Sequence, residues 1–337
     1  MAPDSLVPND PRVEHKFTKI NDEITYHYML VKPKGTPKQP SYSSTAGEPD
    51  LGMGWRFQVP MLLSMGLQVV VPDMLGYGQT SAPESHEEYT MKKMTAHIAQ
   101  VIKDVTDQPI ILGGHDWGGF FIWRMTVYYP EMIRAVFSLC VPYLPAMPTV
   151  ETLEDFAARQ PNFGYQKQLA SGEAEKLIHE TPDGIRHFLN GMYGGRTPDG
   201  QLVFNPEVGV LKDNLPAIGP SPMVAQEMVD FYVQEYARHG FHGPCNWYRV
   251  RELNMADELP LAAAAPTFKF KQPAMLVMAG RDSVLLPEYG RGQERFFEKP
   301  LKSELVGEAG HWVALQCPEA TNKHIGDFVT SVLAETE

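Results

Sequence analysis

The stretch Ile110–Phe121 holds the residues whose types and spacing have the clearest chemical meaning. It begins with an apolar run that ends at two glycines, and it continues into apolar residues at helical spacing. Such a run is typical of a buried parallel strand that leads into a helix. The pattern Gly114-x-Asp116-x-Gly118-Gly119 predicts a nucleophile elbow, a sharp turn between strand and helix that presents a reactive side chain, here that of Asp116.

Asp116 is expected at the N-terminus of the helix, where the helix dipole favours an ionised carboxylate. An ionised carboxylate is the form that attacks an electrophile. An aspartate at a junction of this kind also commonly serves only to cap the helix. The choice between these roles depends on whether the chain supplies a base and a second acid.

Two later residues are candidates for the base and the second acid. Asp282 follows the apolar segment 273–279, and His311 follows the segment 303–306. The chain order nucleophile, acid, histidine, each just after a strand, is that of a catalytic triad built at the carboxyl edge of a parallel sheet. The sequence therefore predicts that Asp116, Asp282 and His311 act together.

A carboxylate attacks amides poorly, but it opens a strained ring or displaces a halide at a saturated carbon. Either reaction leaves an alkyl ester on Asp116. Water that is deprotonated by His311, with Asp282 orienting the imidazole, then attacks the ester carbonyl. Opening an epoxide also needs a proton donor for the oxygen, and Tyr165 and Tyr248 are the candidates.

The elements that must position these residues follow from the hydrophobic pattern. Val13–Ile20 and Ile24–Val31 predict a hairpin at the edge of a sheet. Further strands are predicted at residues 67–72, 135–141, 273–279 and 303–306, and one more begins at residue 110. Helices are predicted at residues 55–65, 91–105, 117–129 and 319–333. This alternation predicts an α/β fold with a mainly parallel sheet and helices on both faces.

Residues 143–261 interrupt that alternation with short helical stretches and no run typical of a central strand. We interpret them as a mostly helical lid insertion. The predicted organisation is a core formed by residues 1–142 and 262–337, with the lid at 143–261.

Charge and cysteine content limit the class of protein. A chain of 337 residues with a net charge of -12 is not expected to bind nucleic acid or an anionic membrane surface. Its three cysteines are far apart, which favours reduced thiols in an intracellular protein. No signal peptide or apolar span is evident, and the histidines have no metal-binding spacing. We expect a cytosolic protein without metal or cofactor.

The whole pattern resembles the soluble epoxide hydrolases of the α/β-hydrolase superfamily. The resemblance runs from about Val13 to the last helix and rests on several motifs: Val71-Pro-Asp-Met-Leu-Gly-Tyr-Gly78, Gly114-His-Asp-Trp-Gly-Gly119, Phe163-Gly-Tyr-Gln166, Gly243-Pro-Cys-Asn-Trp-Tyr-Arg249, Gly280-Arg-Asp282 and Gly310-His-Trp312.

The resemblance implies an α/β-hydrolase fold and a role for each matching residue. Asp116 is then the nucleophile, Asp282 and His311 activate water, and Tyr165 and Tyr248 are lid acids that act on the epoxide oxygen. Oxyanion and substrate-binding positions are implied at Trp117, Glu48, Pro49, His115, Phe163, Gln166 and Trp312. The implied partners are a small apolar epoxide and water.

The segment Gln39–Asp50 departs from the family pattern. Family members place an apolar strand before a His-Gly-aromatic-Pro loop that supplies an oxyanion N–H, whereas this segment is polar, with Ala46 at the His position and Glu48 at the aromatic position. Because Pro40 fits a central strand poorly, this sequence predicts a sheet that lacks a central strand. Loss of one oxyanion donor would cost about 10²–10³ in rate.

A shifted reading frame would explain this segment. Codons for Gln39–Gly47, read in a shifted frame, allow a run of apolar residues followed by His-Gly-Trp, which is the family pattern. We therefore hypothesise a frame or splice error confined to this segment. A transcript that carries the frame as it stands would contradict the hypothesis.

Two alternatives to an epoxide hydrolase remain open at the level of sequence. A haloalkane dehalogenase shares the aspartate elbow but does not need Tyr165 and Tyr248. A catalytically silent binding protein is favoured by the altered segment Gln39–Asp50, whereas the intact triad argues against it.

Overall fold

The computed structural model describes residues 3–35, 39–43, 50–181 and 183–335, with the backbone alone at 39–43. The chain forms two compact units. The first, here called the sheet unit, comprises Met1–Met74, Met91–Pro145 and Ala264–Glu337. The second, the helical unit, comprises Leu75–Thr90 and Ala146–Ala263.

The strands of the described residues are, in chain order, β1 (Val13–Lys19), β2 (Thr25–Val31), β3 (Gln39–Ser43), β4 (Leu67–Pro72), β5 (Ile110–His115), β6 (Ile133–Leu139), β7 (Phe204–Asn205), β8 (Gly209–Val210), β9 (Ala274–Ala279) and β10 (Lys302–Val306). The sheet unit contains an eight-stranded sheet in the order β1-β2-β4-β3-β5-β6-β9-β10. β1 pairs with β2 and β2 with β4 in antiparallel fashion, and the pairs from β4 to β10 are parallel. The predicted edge hairpin and mainly parallel sheet are confirmed.

β6 lies slightly earlier in the chain than the predicted strand at 135–141. It runs from Ile133 to Leu139 and is followed by Cys140, whose φ of 67° is incompatible with an extended strand. The apolar pattern continues past this point because the residues after Leu139 remain buried. The hydrophobic pattern therefore indicates which residues are buried, whereas the backbone conformation at Cys140 determines where the strand ends.

β3 shows that one expectation was wrong. The polar segment does supply a central strand, which pairs in parallel with β4 on one side and with β5 on the other. Pro40 is paired in register only with Gln68 of β4, and the ladder to β5 begins at Ser41. Pro40 lies near the start of the strand and takes no part in the pairing with β5. A proline at such a position disrupts fewer hydrogen bonds of the sheet than a proline at the centre of a strand.

The helices are, in chain order, α1 (Gln58–Ser64), α2 (Met91–Val105), α3 (Trp117–Tyr128), α4 (Leu153–Arg159), α5 (Tyr165–Ser171), α6 (Glu173–Glu180), α7 (Gly184–Met192), α8 (Gln226–Tyr236), α9 (His242–Arg249), α10 (Arg251–Ala262), α11 (Val313–Gln316) and α12 (Pro318–Ala334). α1 and α12 pack against each other and the sheet, as do α2 and α3. β5 and β9 are buried along their whole length, as expected for strands covered on both faces.

The helical unit consists mainly of α4 to α10, with the short pair β7 and β8. It also includes residues 75–90, which the sequence-based division assigned to the core. The indole Nε1 of Trp247 donates to the carbonyl of Leu75 at 3.0 Å. Gly76 and Gly243 approach so closely that a Cβ at position 76 would lie 2.7 Å from the Gly243 carbonyl carbon. Within the parts of the chain that the structure describes, no helix is long and apolar enough to cross a membrane.

Candidate active site

Asp116 lies at the turn between β5 and α3, as predicted. Its φ of 50° and ψ of -123° place a non-glycine residue in a strained conformation. The turn is tight enough that a Cβ at position 114 would overlap the backbone carbonyl of Gly118. Only a glycine at position 114 therefore allows strand and helix to meet at this distance and hold the carboxylate at the end of the strand.

The loops after β9 and β10 bring the other two predicted residues to the same place. The amide of Arg281 donates to the carbonyl of Ala309 at 2.8 Å, which joins the two loops. His311 Nδ1 is 2.8 Å from Asp282 Oδ2, and His311 Nε2 is 3.5 Å from Asp116 Oδ2. The imidazole thus lies between the two carboxylates.

The surroundings of Asp282 favour its ionised form. Its Oδ1 accepts hydrogen bonds from the backbone N–H groups of Val284 and Leu285 at 2.9 and 3.0 Å. Burial alone would raise the pKa of Asp282, but the charge of His311, its hydrogen bond and these two N–H groups lower the pKa below its usual range.

His311 carries the opposite shift. Burial alone would lower the pKa of His311, but the charge and hydrogen bond of Asp282, and then the charges of Asp116 and Asp50, raise the pKa to about 9. Burial raises the pKa of Asp116, against the charge of His311 and the backbone N–H of Trp117. The environment thus stabilises an imidazolium while Asp116 is ionised.

Trp117 and Trp312 lie next to the predicted triad in sequence and in space. The N–H of Trp117 is the backbone group that favours the ionised form of Asp116, so it already points at the carboxylate. The Trp312 ring is buried, and its centroid is 4.8 Å from that of His311 in an edge arrangement. Within the described part of the chain, no group of three or more His, Cys, Asp or Glu residues could hold a metal ion.

The helical unit brings the two predicted tyrosines together. Tyr165 begins α5 and Tyr248 lies in α9, and both are buried. Their ring centroids are 5.9 Å apart at an interplanar angle of 74°. Phe163, which is half-buried just before α5, packs its ring against Phe156 at 5.2 Å. Gln166 is half-buried in the first turn of α5.

Comparison with known proteins identifies the family of this chain. A model of the alpha/beta hydrolase fold matches residues 46–176. The chain is 46% identical to epoxide hydrolase srdG of Neurospora crassa over 99% of this chain and 100% of that protein. The chain belongs to the epoxide hydrolase family of the α/β hydrolases.

Two further relatives agree with this assignment. The chain is 31% identical to bifunctional epoxide hydrolase 2 of Sus scrofa over 96% of this chain, but it spans only 56% of that protein. The crystal structure of epoxide hydrolase A from Mycobacterium thermoresistibile matches with a TM-score of 0.76 at 26% identity, covering 94% of this chain and 98% of that one. The predicted α/β-hydrolase fold is confirmed.

His115, predicted as an oxyanion or substrate-binding position, forms a hydrogen bond that the sequence did not predict. It is buried, and its Nε2 lies 2.8 Å from the backbone carbonyl of His311. Burial, and then the charge of His311, lower the pKa of His115 to about 3. The neutral ring therefore donates its Nε2 proton to that carbonyl and ties the histidine loop to the end of β5.

Cys140, one of the three cysteines predicted to be reduced thiols, lies next to the candidate site. It is buried after β6, and its Sγ is 3.6 Å from the backbone carbonyl of His311. Burial, with the charges of Asp282 and Asp116, raises the pKa of the Cys140 thiol well above its usual range. A thiol that stays neutral fills the space beside the two carboxylates without adding a charge. No motif in the sequence signals this position.

Glu48 and Pro49, predicted as part of the oxyanion loop, lie outside the described residues. Asp50, the first described residue after them, is buried. Its charge contributes to the raised pKa of His311. Asp50, at the end of this segment, is therefore close enough to the site to influence the charge of His311.

Proposed function

We propose that this chain hydrolyses epoxides to vicinal diols through a covalent ester on Asp116. The observation that carries the proposal is the placement of His311 between Asp282, at 2.8 Å, and Asp116, at 3.5 Å. An aspartate at the elbow suits attack on the carbon of a strained ring. Membership of the epoxide hydrolase family supports the choice of ring.

In the first step, a carboxylate oxygen of Asp116 attacks an epoxide carbon, and the carbon–oxygen bond of the ring breaks. The oxygen takes up a proton from Tyr165 or Tyr248, whose phenols protonate an alkoxide without competing as nucleophiles. The two rings pack edge to face with their centroids 5.9 Å apart, which places both phenols in one region. Phe163, Gln166 and Trp312 contact the substrate in this proposal.

In the second step, His311 takes a proton from water, and the hydroxide attacks the carbonyl carbon of the ester. Asp282 orients the imidazole and stabilises the imidazolium that forms. The N–H of Trp117 stabilises the oxyanion, and His115 fixes the histidine loop. In this proposal the backbone N–H of Glu48 is the second donor, and Pro49, which has no N–H, contacts the substrate. Collapse of the intermediate expels the alkoxide, which takes the proton from His311 and leaves as the diol. The other proton of the attacking water is lost from the carboxyl group of Asp116 and, by way of solvent, reprotonates the tyrosinate of the first step, so that the carboxylate and the phenol are both restored.

We also propose a domain organisation and a cellular location for this enzyme. Residues 143–261 form the lid domain, residues 1–142 and 262–337 form the core domain, and the substrate is a small apolar epoxide. The enzyme acts in the cytosol, in keeping with three cysteines that form no disulfide within the described residues. Neither a metal nor a cofactor takes part.

Isotope placement in a single turnover tests the covalent path. With enzyme in excess over a styrene-type epoxide in ¹⁸O water, we expect an unlabelled diol and one labelled oxygen in the peptide that contains Asp116, because water attacks the ester carbonyl. Label in the diol would show direct attack by water and sink the proposal. Asp116→Asn should form no diol, whereas Asp327→Asn, a surface control in α12, should retain full activity.

A halide assay separates the nearest alternative. A dehalogenase releases halide from a 1-bromoalkane and needs N–H donors aimed at the departing ion. We expect no bromide release above the background of Asp116→Asn. Bromide release faster than diol formation would favour the dehalogenase alternative.

A further inference from the structure

Arg249 joins the two helices that carry the tyrosines. It follows Tyr248 at the end of α9, and its Nε donates to the backbone carbonyl of Ala170 at 3.0 Å. Ala170 lies in the last turn of α5, the helix that Tyr165 begins. One side chain thus spans from the end of one tyrosine helix to the end of the other.

The rest of the guanidinium group is also engaged. Nη1 donates to Asn246 Oδ1 at 2.7 Å, one turn earlier in α9. Nη2 donates to Glu175 Oε2 at 3.1 Å, in the first turn of α6. The planar fork therefore binds three elements in fixed directions, which the single ammonium group of a lysine cannot reproduce.

α5 depends on such an external tie because it is short. It has seven residues and ends at Gly172, whose φ of 83° stops the helix. A helix of this length is marginal by itself and gains its stability from tertiary contacts. The carbonyl of Ala170 is among those with no partner inside a helix that ends here, and Arg249 satisfies it.

We infer that Arg249 is a positioning residue that holds the phenols of Tyr165 and Tyr248 at their mutual separation and thereby sets the rate of ring opening. The inference rests on the proposed function, in which both phenols serve one epoxide oxygen. A displacement of about 1 Å in a catalytic group can cost about 10²-fold in rate. The step that follows uses water, His311 and Asp282, and it does not require the tyrosine pair.

The test separates the two steps by single-turnover kinetics. Formation of the Asp116 ester and its hydrolysis are measured by rapid quench and mass spectrometry for the wild type, Arg249→Lys and Arg249→Gln. We expect ester formation to slow by about 10- to 100-fold, with hydrolysis of the ester within about twofold of wild type. Arg186→Gln, which removes an exposed ion pair to Asp230 in the same unit, should change neither step.

A double-mutant cycle with Tyr165→Phe tests whether Arg249 acts through the pair. In the Tyr165→Phe background, Arg249→Lys should slow ester formation by less than about threefold, because the geometry that it maintains has already been lost. Equal slowing of both steps, or a full effect of Arg249→Lys in that background, would overturn the inference.

A third variant guards against misfolding. Glu175→Gln removes one charged anchor of the guanidinium and should slow ester formation in the same direction but less than Arg249→Lys. If the Arg249 variants do not fold, an unchanged rate of ester formation in Glu175→Gln contradicts the inference. A wild type that forms no ester contradicts the proposed function itself, and the role of Arg249 falls with it.

Discussion

His311 must change its charge between the two proposed steps. The resting site raises the pKa of His311 to about 9, so the ring is an imidazolium at neutral pH. Conversion of Asp116 to a neutral ester removes one of the charges responsible, and the pKa of His311 then falls. The imidazole therefore becomes a base at the stage at which a base is needed.

This argument predicts the pH dependence of ester hydrolysis. Below its pKa, His311 is protonated and cannot accept a proton from water, so the rate constant should rise with pH and level off, with a midpoint below about 9. Single-turnover product release between about pH 5 and pH 10 measures this limb. Asp282→Asn should shift the midpoint to lower pH. A rate constant that falls as pH rises would contradict the assignment of the base.

Replacement of His311 should trap the intermediate. His311→Gln retains a side chain that can donate to Asp282 but supplies no base, so ester formation should proceed while hydrolysis slows by about 10²–10⁴-fold. Intact-protein mass spectrometry should show one substrate mass added per chain. Continuous turnover at the wild-type rate would show that another group activates water. Surface variant His86→Gln serves as the control.

At the scale of single residues, the sequence predicted the positions that follow from chain order. Asp116, Asp282 and His311 each follow a strand, and parallel strands bring such positions to one edge. The neutral state of His115 could not be predicted, because it results from burial by distant segments. The same holds for Cys140, whose place beside His311 depends on the end of β6.

At the scale of elements, the elbow makes a stability prediction. Gly114→Ala adds a methyl group that overlaps the carbonyl of Gly118, so the strand or the helix must move. We expect the free energy of unfolding to fall by about 1–3 kcal/mol and diol formation to fall with it. Gly307→Ala is the matched control, since a Cβ there meets nothing within 4 Å. Chemical denaturation of both variants measures the difference, and equal stability would show that the elbow tolerates a side chain.

The pattern of the sequence predicted the elements whose burial matches their local composition. β4, β5 and β9 are mostly apolar and almost entirely buried, so composition alone identifies them. β3 is polar, and it is a strand because β4 and β5 supply backbone partners on both sides. Pairing across the sheet thus overrode local propensity, and only the structure reveals it.

At the scale of the whole molecule, contacts between distant segments decided what the sequence could not. Residues 75–90 belong to the helical unit, although they precede the elbow in the chain. They join it through Trp247, which donates to Leu75, and through the close approach of Gly76 and Gly243. No local sequence pattern predicts such contacts, so the predicted lid, residues 143–261, did not include residues 75–90.

The net charge of -12 makes a prediction about substrates. An epoxide that carries a carboxylate is repelled on approach, and the repulsion weakens as the Debye length shortens from about 30 Å at 0.01 M salt to about 8 Å at 0.15 M. We therefore expect kcat/KM for an epoxy acid to rise by about two- to fivefold over this range of salt. Its methyl ester should show no change, because a neutral molecule does not sense the field.

Matched assays of the acid and the ester isolate this effect from changes in the enzyme itself, since salt acts on the same protein in both. If kcat/KM for the acid falls as salt is added, a local positive field must outweigh the net charge near the entrance to the site. If both substrates respond equally, salt acts on the fold and the charge has no part in association. A rise for the acid alone would show that the net charge selects neutral epoxides by their rate of entry.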